Sequence, residues 1–465
     1  MFEKDFENCF GDERLDKRGK KLLNDLFRKG VHSIRQLAIN AAELKGWYRF
    51  LGNERTTEQA IVADMANRCS TQVRGKTVLC IQDTSDINLY QHKHRIKKDG
   101  YIGCTNAPEA GLGFLIHPSL VVDASSCFPY GFADVQIWNR PEEKLTKHER
   151  KYNSLPVEQK ESYKWIAACL KTKEVLQAAA TVIIVQDREG DIFEQFATIP
   201  DEKTHLLIRA RTNRNLLGGK KLFDELGSQR SAGTYCINIE GDKRKKQLKR
   251  KATLEVRFCK IEILKTDGAS KQIAKTVQLY AVEAREINTS ASQPVCWRIN
   301  TSLPVTNIAE ALRVIEWYSW RWMIEEVFRI AKEEGFNIEA SELESARKVR
   351  KLCLLIFETI IKLFQMRISY DMDEDEGLPA DYCFSNEEQQ CIALQGKALE
   401  GKTEKQKNPY KKQTMKWATW VIARLGGWKG YQSERPPGIT TLWIGLRKFN
   451  DVKNGWELAR NVSTR

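Results

Sequence analysis

The hydrophobic pattern changes period several times along the chain. Over residues 1–70, ERLDKRGKKLLNDLFRK, SIRQLAINAAELKGWYRFLGN and TTEQAIVADMANRC carry apolar positions three and four apart, with turn signals at Gly30 and Gly52-Asn53. That spacing predicts helices with one buried face each. Short apolar runs follow, TVLCIQD, LGFLIHPSLVVD, FADVQIW and TVIIVQD, the second and third separated by the turn-rich ASSCFPYG. Such runs predict largely buried strands, with VEQKESYKWIAACLKTKEVLQAAA a helix between the last two. From about 212 to 300, CINIE, LEVRFCKIEIL and KTVQLYAVEA alternate with period two, which argues for a separate antiparallel sheet. Helical spacing returns in IAEALRVIEWYSWRWMIEEVFRIAKEEG and again over about 345–370. DMDEDEGLPADY reads as a charged linker, and about 380–465 mixes basic helical segments with GGWKGYQSERPPG. No internal repeat is visible.

Within the segment YSWRWMIEEVFRIAK, an ideal helix turning about 100° per residue aligns Tyr318, Arg321, Glu325, Arg329 and Lys332 in a stripe about 80° wide. Trp320, Met323, Ile324, Val327, Ile330 and Ala331 fall on the opposite side, as expected of a helix laid on a core. Pairs four apart, Arg321 with Glu325 and Glu325 with Arg329, explain a solvated face equally well. A second feature separates these readings. The runs at 78–83 and 182–187 end alike, Ile81-Gln82-Asp83 and Val185-Gln186-Asp187. Asp is depleted inside strands, so each marks a strand end, where it serves either as a turn cap or as a ligand.

Composition narrows the partner. The 465 residues suggest two to four domains, and the net charge of +14 favours a polyanion, nucleic acid before a membrane surface. The run DKRKKQLKRK at 242–251 reads as a solvated loop able to touch phosphates. The twelve cysteines stand no closer than eight residues apart and are not grouped with the six histidines at zinc spacing. His92 and His94 lie in a polar loop. With no signal peptide at MFEKDFENCF, the cysteines read as reduced thiols of a soluble, cytoplasmic protein with no membrane segment. Gly75-Lys76-Thr77 is not a P-loop, because position 70 is Ser and the segment enters a strand.

The order of elements is a strand with Asp, two antiparallel strands, a helix, a strand with Asp, and later a helix with Glu. This is the layout of an α/β, ribonuclease-H-like core, in which three carboxylates share one cleft. Their repulsion is relieved by a hard divalent cation with oxygen ligands.

The spacing Tyr318, Arg321, Glu325, Lys332 resembles the Y-R-E-K signature of bacterial insertion-sequence transposases with a D-D-E active site, in their cut-and-paste, hairpin-forming branch. The resemblance extends through Gly-Trp-Tyr-Arg-Phe-Leu at 46–51, Asp187-Arg188-Glu189, and the C-terminal Arg-Leu-Gly-Gly-Trp-Lys-Gly-Tyr with Arg-Pro-Pro-Gly. It implies a helical N-terminal DNA-binding domain at 1–70 and a ribonuclease-H-like catalytic domain at 71–370, interrupted by an antiparallel β insertion at about 212–300. A mostly helical C-terminal dimerisation domain at 371–465 completes the chain.

The resemblance also implies that Asp83, Asp187 and Glu325 are the catalytic metal ligands, holding two Mg²⁺ ions, with Mn²⁺ able to substitute. Tyr318, Arg321 and Lys332 would bind transposon-end DNA near the cut, with Arg329 as a helper. Arg209 and Arg211, leaving HLLIRAR, look like phosphate contacts, and Trp297 and Trp322 would stack on a flipped base. The chain departs from the family at 112–117, LGFLIH, where relatives can place a Trp-rich pair and this sequence has Phe114 and Leu115. The implied partners are double-stranded DNA at the transposon ends, target DNA and a second copy in a nucleoid-associated paired complex. A ribonuclease-H-like nuclease without strand transfer and a non-catalytic DNA-binding regulator are the alternatives.

Overall fold

The computed structural model describes residues 5–31, 33–97, 99–106, 111–141, 155–239, 249–266, 272–289, 291, 294–333, 335–372, 378–431 and 433–463. Four helices open the chain: α1 (Glu13–Lys29), α2 (Ile34–Leu37), α3 (Ala41–Gly52) and α4 (Glu58–Gln72). Side-chain oxygens of Asp12, Asn40 and Thr57 accept first-turn backbone N–H groups of α1, α3 and α4, so their start points are set by sequence. Strands β1 (Thr77–Gln82), β2 (Ser85–Asn88), β3 (Gly103–Cys104), β4 (Leu112–Asp123) and β5 (Pro129–Trp138) follow, then α5 (Tyr163–Val175) and β6 (Thr181–Gln186). Next come α6 (Phe193–Thr198), β7 (Thr204–Arg209), α7 (Leu222–Ser228), β8 (Gly233–Ile239), β9 (Arg250–Leu264), β10 (Thr276–Ile287) and β11 (Cys296–Thr301). Six helices close the described chain: α8 (Ile308–Ser319), α9 (Trp322–Lys332), α10 (Ala346–Asp371), α11 (Asn386–Leu399), α12 (Met415–Leu425) and α13 (Ile439–Ser463).

Among the described residues all eleven strands belong to one mixed sheet, ordered β2-β4-β1-β6-β7-β11-β10-β9-β8, with β3 and β5 also paired to β4. The strands β1, β6 and β7 run parallel, while β4 is antiparallel to β1 and to β5. Apolar runs in β1 and β6 make sense because both faces are covered. Leu79, Ile81, Ile183 and Val185 pack toward α8, α9 and α10, while Val78, Cys80, Val182 and Ile184 pack toward α5, α6 and α7. The period-two segment is not a separate sheet as its pattern suggested. Strand β11 pairs antiparallel with β7, Ile299 opposite Arg209, so β8–β11 prolong the same sheet. Unpaired, β7 would leave a buried edge of backbone donors and acceptors, and β11 satisfies it.

The 26-residue α10 is buried nearly all round and is the axis of the helical layer, touching α1, α3 and α4 as well as α12 and α13. Its buried Lys351 Nζ donates to the Leu51 and Asn53 carbonyls at 3.0 and 2.9 Å, closing the C-terminal end of α3. Arg68 of α4 pairs with Asp5, Asp64 and Glu358 of α10. From the other side, the Trp443 indole of α13 stacks on Phe336 at 4.6 Å and lies where Gly30 and Gly335 have no side chain. A Cβ at either glycine would overlap that ring, and both have positive φ, at 57° and 126°. Residues 242–248 of the basic run and 373–377 of the charged linker lie outside the described residues. Among the described residues no helix is long and apolar enough to cross a membrane, and none of the twelve cysteines is in a disulfide.

Candidate active site

The registers of β1 and β6 bring the two strand-ending aspartates together. Thr77 to Ile81 pair with Thr181 to Val185, so Asp83 and Asp187 follow side by side, one residue past each strand's last position. Neighbouring strands lie about 4.8 Å apart, so the two backbones emerge as close neighbours. Each aspartate also makes the capping bond expected of a turn. Asp83 Oδ1 accepts from the Thr84 N–H at 2.8 Å, and Asp187 Oδ1 accepts from the Glu189 N–H at 2.8 Å, which starts a 3₁₀ turn at Arg188–Gly190. Capping occupies one oxygen of each, so the cap and ligand readings do not compete.

The third carboxylate arrives on a helix that is not continuous. Between α8 and α9 the backbone closes bonds three residues apart, Arg321 N to the Tyr318 carbonyl and Ile324 N to the Arg321 carbonyl. A tighter turn advances each residue by about 120° and not 100°, which rotates α9 relative to α8. The five-residue stripe is therefore broken at its first member. Tyr318 is buried in the core beside Trp297, ring centroids 6.2 Å apart, and its hydroxyl has no partner. Arg321, at the break, reaches two carboxylates. Its guanidinium donates to Asp83 Oδ2 at 2.8 Å and also to Glu325 Oε1. The expected Glu325–Arg329 pair is not made, because Arg329 binds Glu326 at 2.7 Å. Lys332, one turn on, sits 3.3 Å from Asp86 of β2. Met323, Ile324, Val327, Ile330 and Ala331 are buried, as their spacing predicted.

Charge is concentrated here. Burial raises the Asp83 carboxyl to about 7, opposed by Arg321 and reinforced by Asp187 and Glu325. Asp83 thus feels both of the other acids. The donor set is entirely carboxylate oxygen, which suits a hard divalent cation, and the Arg321 guanidinium takes the position of a neutralising charge between Asp83 and Glu325. Among the described residues no three acidic, histidine or cysteine side chains are gathered tightly enough to hold an ion.

The remaining anticipated residues are spread around this centre. Trp322 is exposed beside Arg321, and Trp297 is half-buried against Tyr318. Arg209 donates to the Cys296 carbonyl at 3.2 Å, and the Arg211 side chain is exposed while its N–H is held by Asp191. Phe114 and Leu115 are fully buried in β4, so neither is available to a base. Three features escaped the sequence reading: the Arg321–Asp83 bond, the Lys332–Asp86 pair, and a polar layer of Gln82, Gln186, Ser119, Thr84 and His117 behind the aspartates. The repeated Gln-Asp ending of the two strands was a visible sign of that layer. Gln186 Nε2 donates to Gln82 Oε1 at 2.7 Å, one register step before the acids and on the opposite face.

Two families match this chain. Residues 2–56 match the family described as Transposase DNA-binding, and residues 169–360 match Transposase DDE domain. The second stretch spans Asp187 and Glu325, while Asp83 precedes it. Together the matches indicate a DDE-type transposase, an enzyme acting on DNA. Among solved structures, a cryo-EM piggyBac transposase synaptic complex with hairpin DNA aligns with 77% of this chain and 67% of its own, at 9% identity and a TM-score of 0.37.

Proposed function

We propose that this transposase cuts and rejoins DNA at the ends of a mobile element through Asp83, Asp187 and Glu325, on a ribonuclease-H-like core, by a cut-and-paste route that passes through a DNA hairpin. The observation that carries the reading is the convergence of two in-register strand ends and a helix on one carboxylate surface, bridged by Arg321. The strand succession β5-β4-β1-β6-β7, antiparallel on one side of β1 and parallel on the other, supports the core assignment. The three carboxylates would hold two Mg²⁺ ions or Mn²⁺, which supply an activated water or 3′-hydroxyl and neutralise the leaving oxygen.

The chain's own residues do the rest. Arg321 holds Asp83 and Glu325 in line, and its guanidinium would be freed for a phosphate when those carboxylates hold a divalent ion. Lys332, Arg209, Arg211 and, more weakly because of Glu326, Arg329 track the backbone. Trp322, exposed, and Trp297, half-buried, accept an unstacked base, while the buried Tyr318 packs against Trp297 from behind. The N-terminal helices would read the element's ends, and a second copy would pair the two ends. The test is to mix the full chain with its element's end DNA and Mg²⁺ or Mn²⁺. Hairpins on the element side followed by joining to a target are expected. Cleavage with no joining would make the protein a nuclease, and binding without any product would make it a regulator.

A further inference from the structure

We propose that Thr84 and His117 are positioning residues for Asp83, their side-chain hydrogen bond holding the strand where its backbone ladder is interrupted. The inference rests on the catalytic role given to Asp83 above. Strand β1 pairs with β4 up to Gln82 opposite Ser119, and β2 resumes the same register at Ser85 opposite Ile116. Asp83 and Thr84, facing Pro118 and His117, therefore lie in a two-residue gap in which no ladder pair forms. Pro118 has no N–H to offer across that gap. The proposed catalytic acid thus sits where the backbone ladder to β4 is interrupted, although a useful metal ligand must be held within about 0.5 Å.

Side chains replace the missing backbone bonds. Thr84 Oγ1 and His117 Nδ1 are hydrogen-bonded at 2.8 Å, directly across the interrupted ladder. Strand alternation puts Thr84 on the face opposite the carboxylate, so the restraint acts from behind and leaves the acid open. His117 is fully buried and packs edge-on against Trp165 of α5, centroids 4.6 Å apart. Burial, with Lys164 nearby, brings its imidazole down to about 3, so it works as a fixed neutral bond partner. Gln82, bonded to Ser119 at 3.1 Å and to Gln186 at 2.7 Å, clamps the position just before. Such outer partners of metal-binding side chains typically alter affinity or rate by about 10–100-fold when removed.

The test compares Thr84→Val, which keeps the volume and loses the hydroxyl, with Thr84→Ser, which keeps the hydroxyl. Three readouts apply: amide exchange across 83–85, Mn²⁺ binding by calorimetry with Asp83→Asn as reference, and cleavage rate at saturating end DNA. In Thr84→Val, exchange should accelerate, Mn²⁺ should bind about 10-fold more weakly, and cleavage should slow about 10–100-fold with end-DNA affinity unchanged. Thr84→Ser should stay near wild type, and His117→Asn should follow Thr84→Val if it folds. Equal exchange and equal Mn²⁺ affinity in the two Thr84 variants would overturn the proposal. A wild-type chain that neither binds Mn²⁺ through Asp83 nor cuts, while Thr84→Val still loosens the strand, would remove the catalytic reading and keep the restraint.

Discussion

Two arginines in this molecule stand between carboxylates, and they do opposite jobs. Arg68 meets Asp5, Asp64 and Glu358 at 2.8, 3.0 and 2.7 Å, and the three acid side chains are only 3%, 9% and 6% exposed. Arg321 meets Asp83 and Glu325, but Glu325 is 55% exposed. In the first cluster packing closes every side, and the charges are held in place by one another. Arg68 holds Glu358 below the usual carboxylate range, while burial pushes Asp5 up to about 6. In the second cluster Glu325 lies on an open side, while burial, reinforced by Asp187 and Glu325 and opposed by Arg321, raises the Asp83 carboxyl to about 7. An arginine among acids marks a joint when it is enclosed, and a candidate site when solvent and ligands can replace it.

The largest effects should separate the two clusters cleanly. Asp83→Asn, Asp187→Asn or Glu325→Gln should each slow metal-dependent cleavage by at least about 10³-fold, several kcal/mol of barrier. End-DNA binding, read by gel shift, should change less than about twofold, because none of the three is a cation. Rapid cutting by any of them would remove the assignment. Glu358→Ala should do the reverse. Leaving Arg68 buried with less compensation should destabilise the fold by about 3–5 kcal/mol in denaturant titration, with little change in rate per folded molecule. A Glu358 variant of wild-type stability would show that the enclosed cluster is not a joint.

How much of this contrast was readable in the sequence differs by cluster. Asp83 and Asp187 were legible because an acid after an apolar run can hardly lie within a strand, and Glu325 because a 3.6-residue period fixes the face of a helix. The stripe erred at Tyr318, since periodicity assumes an uninterrupted helix and the tighter turn at Arg321 resets the angle. The Arg68 cluster went unnoticed, because its four members lie at positions 5, 64, 68 and 358 and only packing brings them together. The same holds for β11 beside β7, whose pairing depends on register across a long separation that no local pattern encodes. His117 was visible inside LGFLIH, but its role depends on Pro118 and on which residue lies across the gap.

A buried cation without a carboxylate gives an intermediate case. Lys351 is 1% exposed and bonded to carbonyls of α3, and burial, aided by Arg347, lowers its ammonium to about 8 from 10.5. Lys351→Met would leave those carbonyls unpaired and should cost about 1–3 kcal/mol near neutral pH. The sign of its pH dependence follows from the lowered value. Between pH 8 and 10.5 the unfolded chain binds more protons at this residue than the folded one, so the wild type gains stability as pH rises through that window. The gap to Lys351→Met, measured by urea unfolding, should therefore widen from pH 8 to 10. A constant gap would mean that the ammonium is solvated in the folded state.

The smallest effect tests the open end of the comparison. Arg329 pairs with Glu326 three residues earlier on the half-buried flank of α9, and such pairs within one helix contribute only about 0.3–0.5 kcal/mol. Arg329→Ala should thus leave stability almost unchanged, unlike any change at Arg68. If Arg329 leaves Glu326 for DNA, the variant should bind end DNA more weakly and its slope of log affinity against log salt should fall by about one. Arg321→Ala should lower that slope similarly but also slow cleavage, because Arg321 alone of the two touches Asp83 and Glu325. Equal losses of rate in the two variants would mean that the bridge between the carboxylates has no part in preparing the site, and that Arg321 acts only as one more phosphate contact.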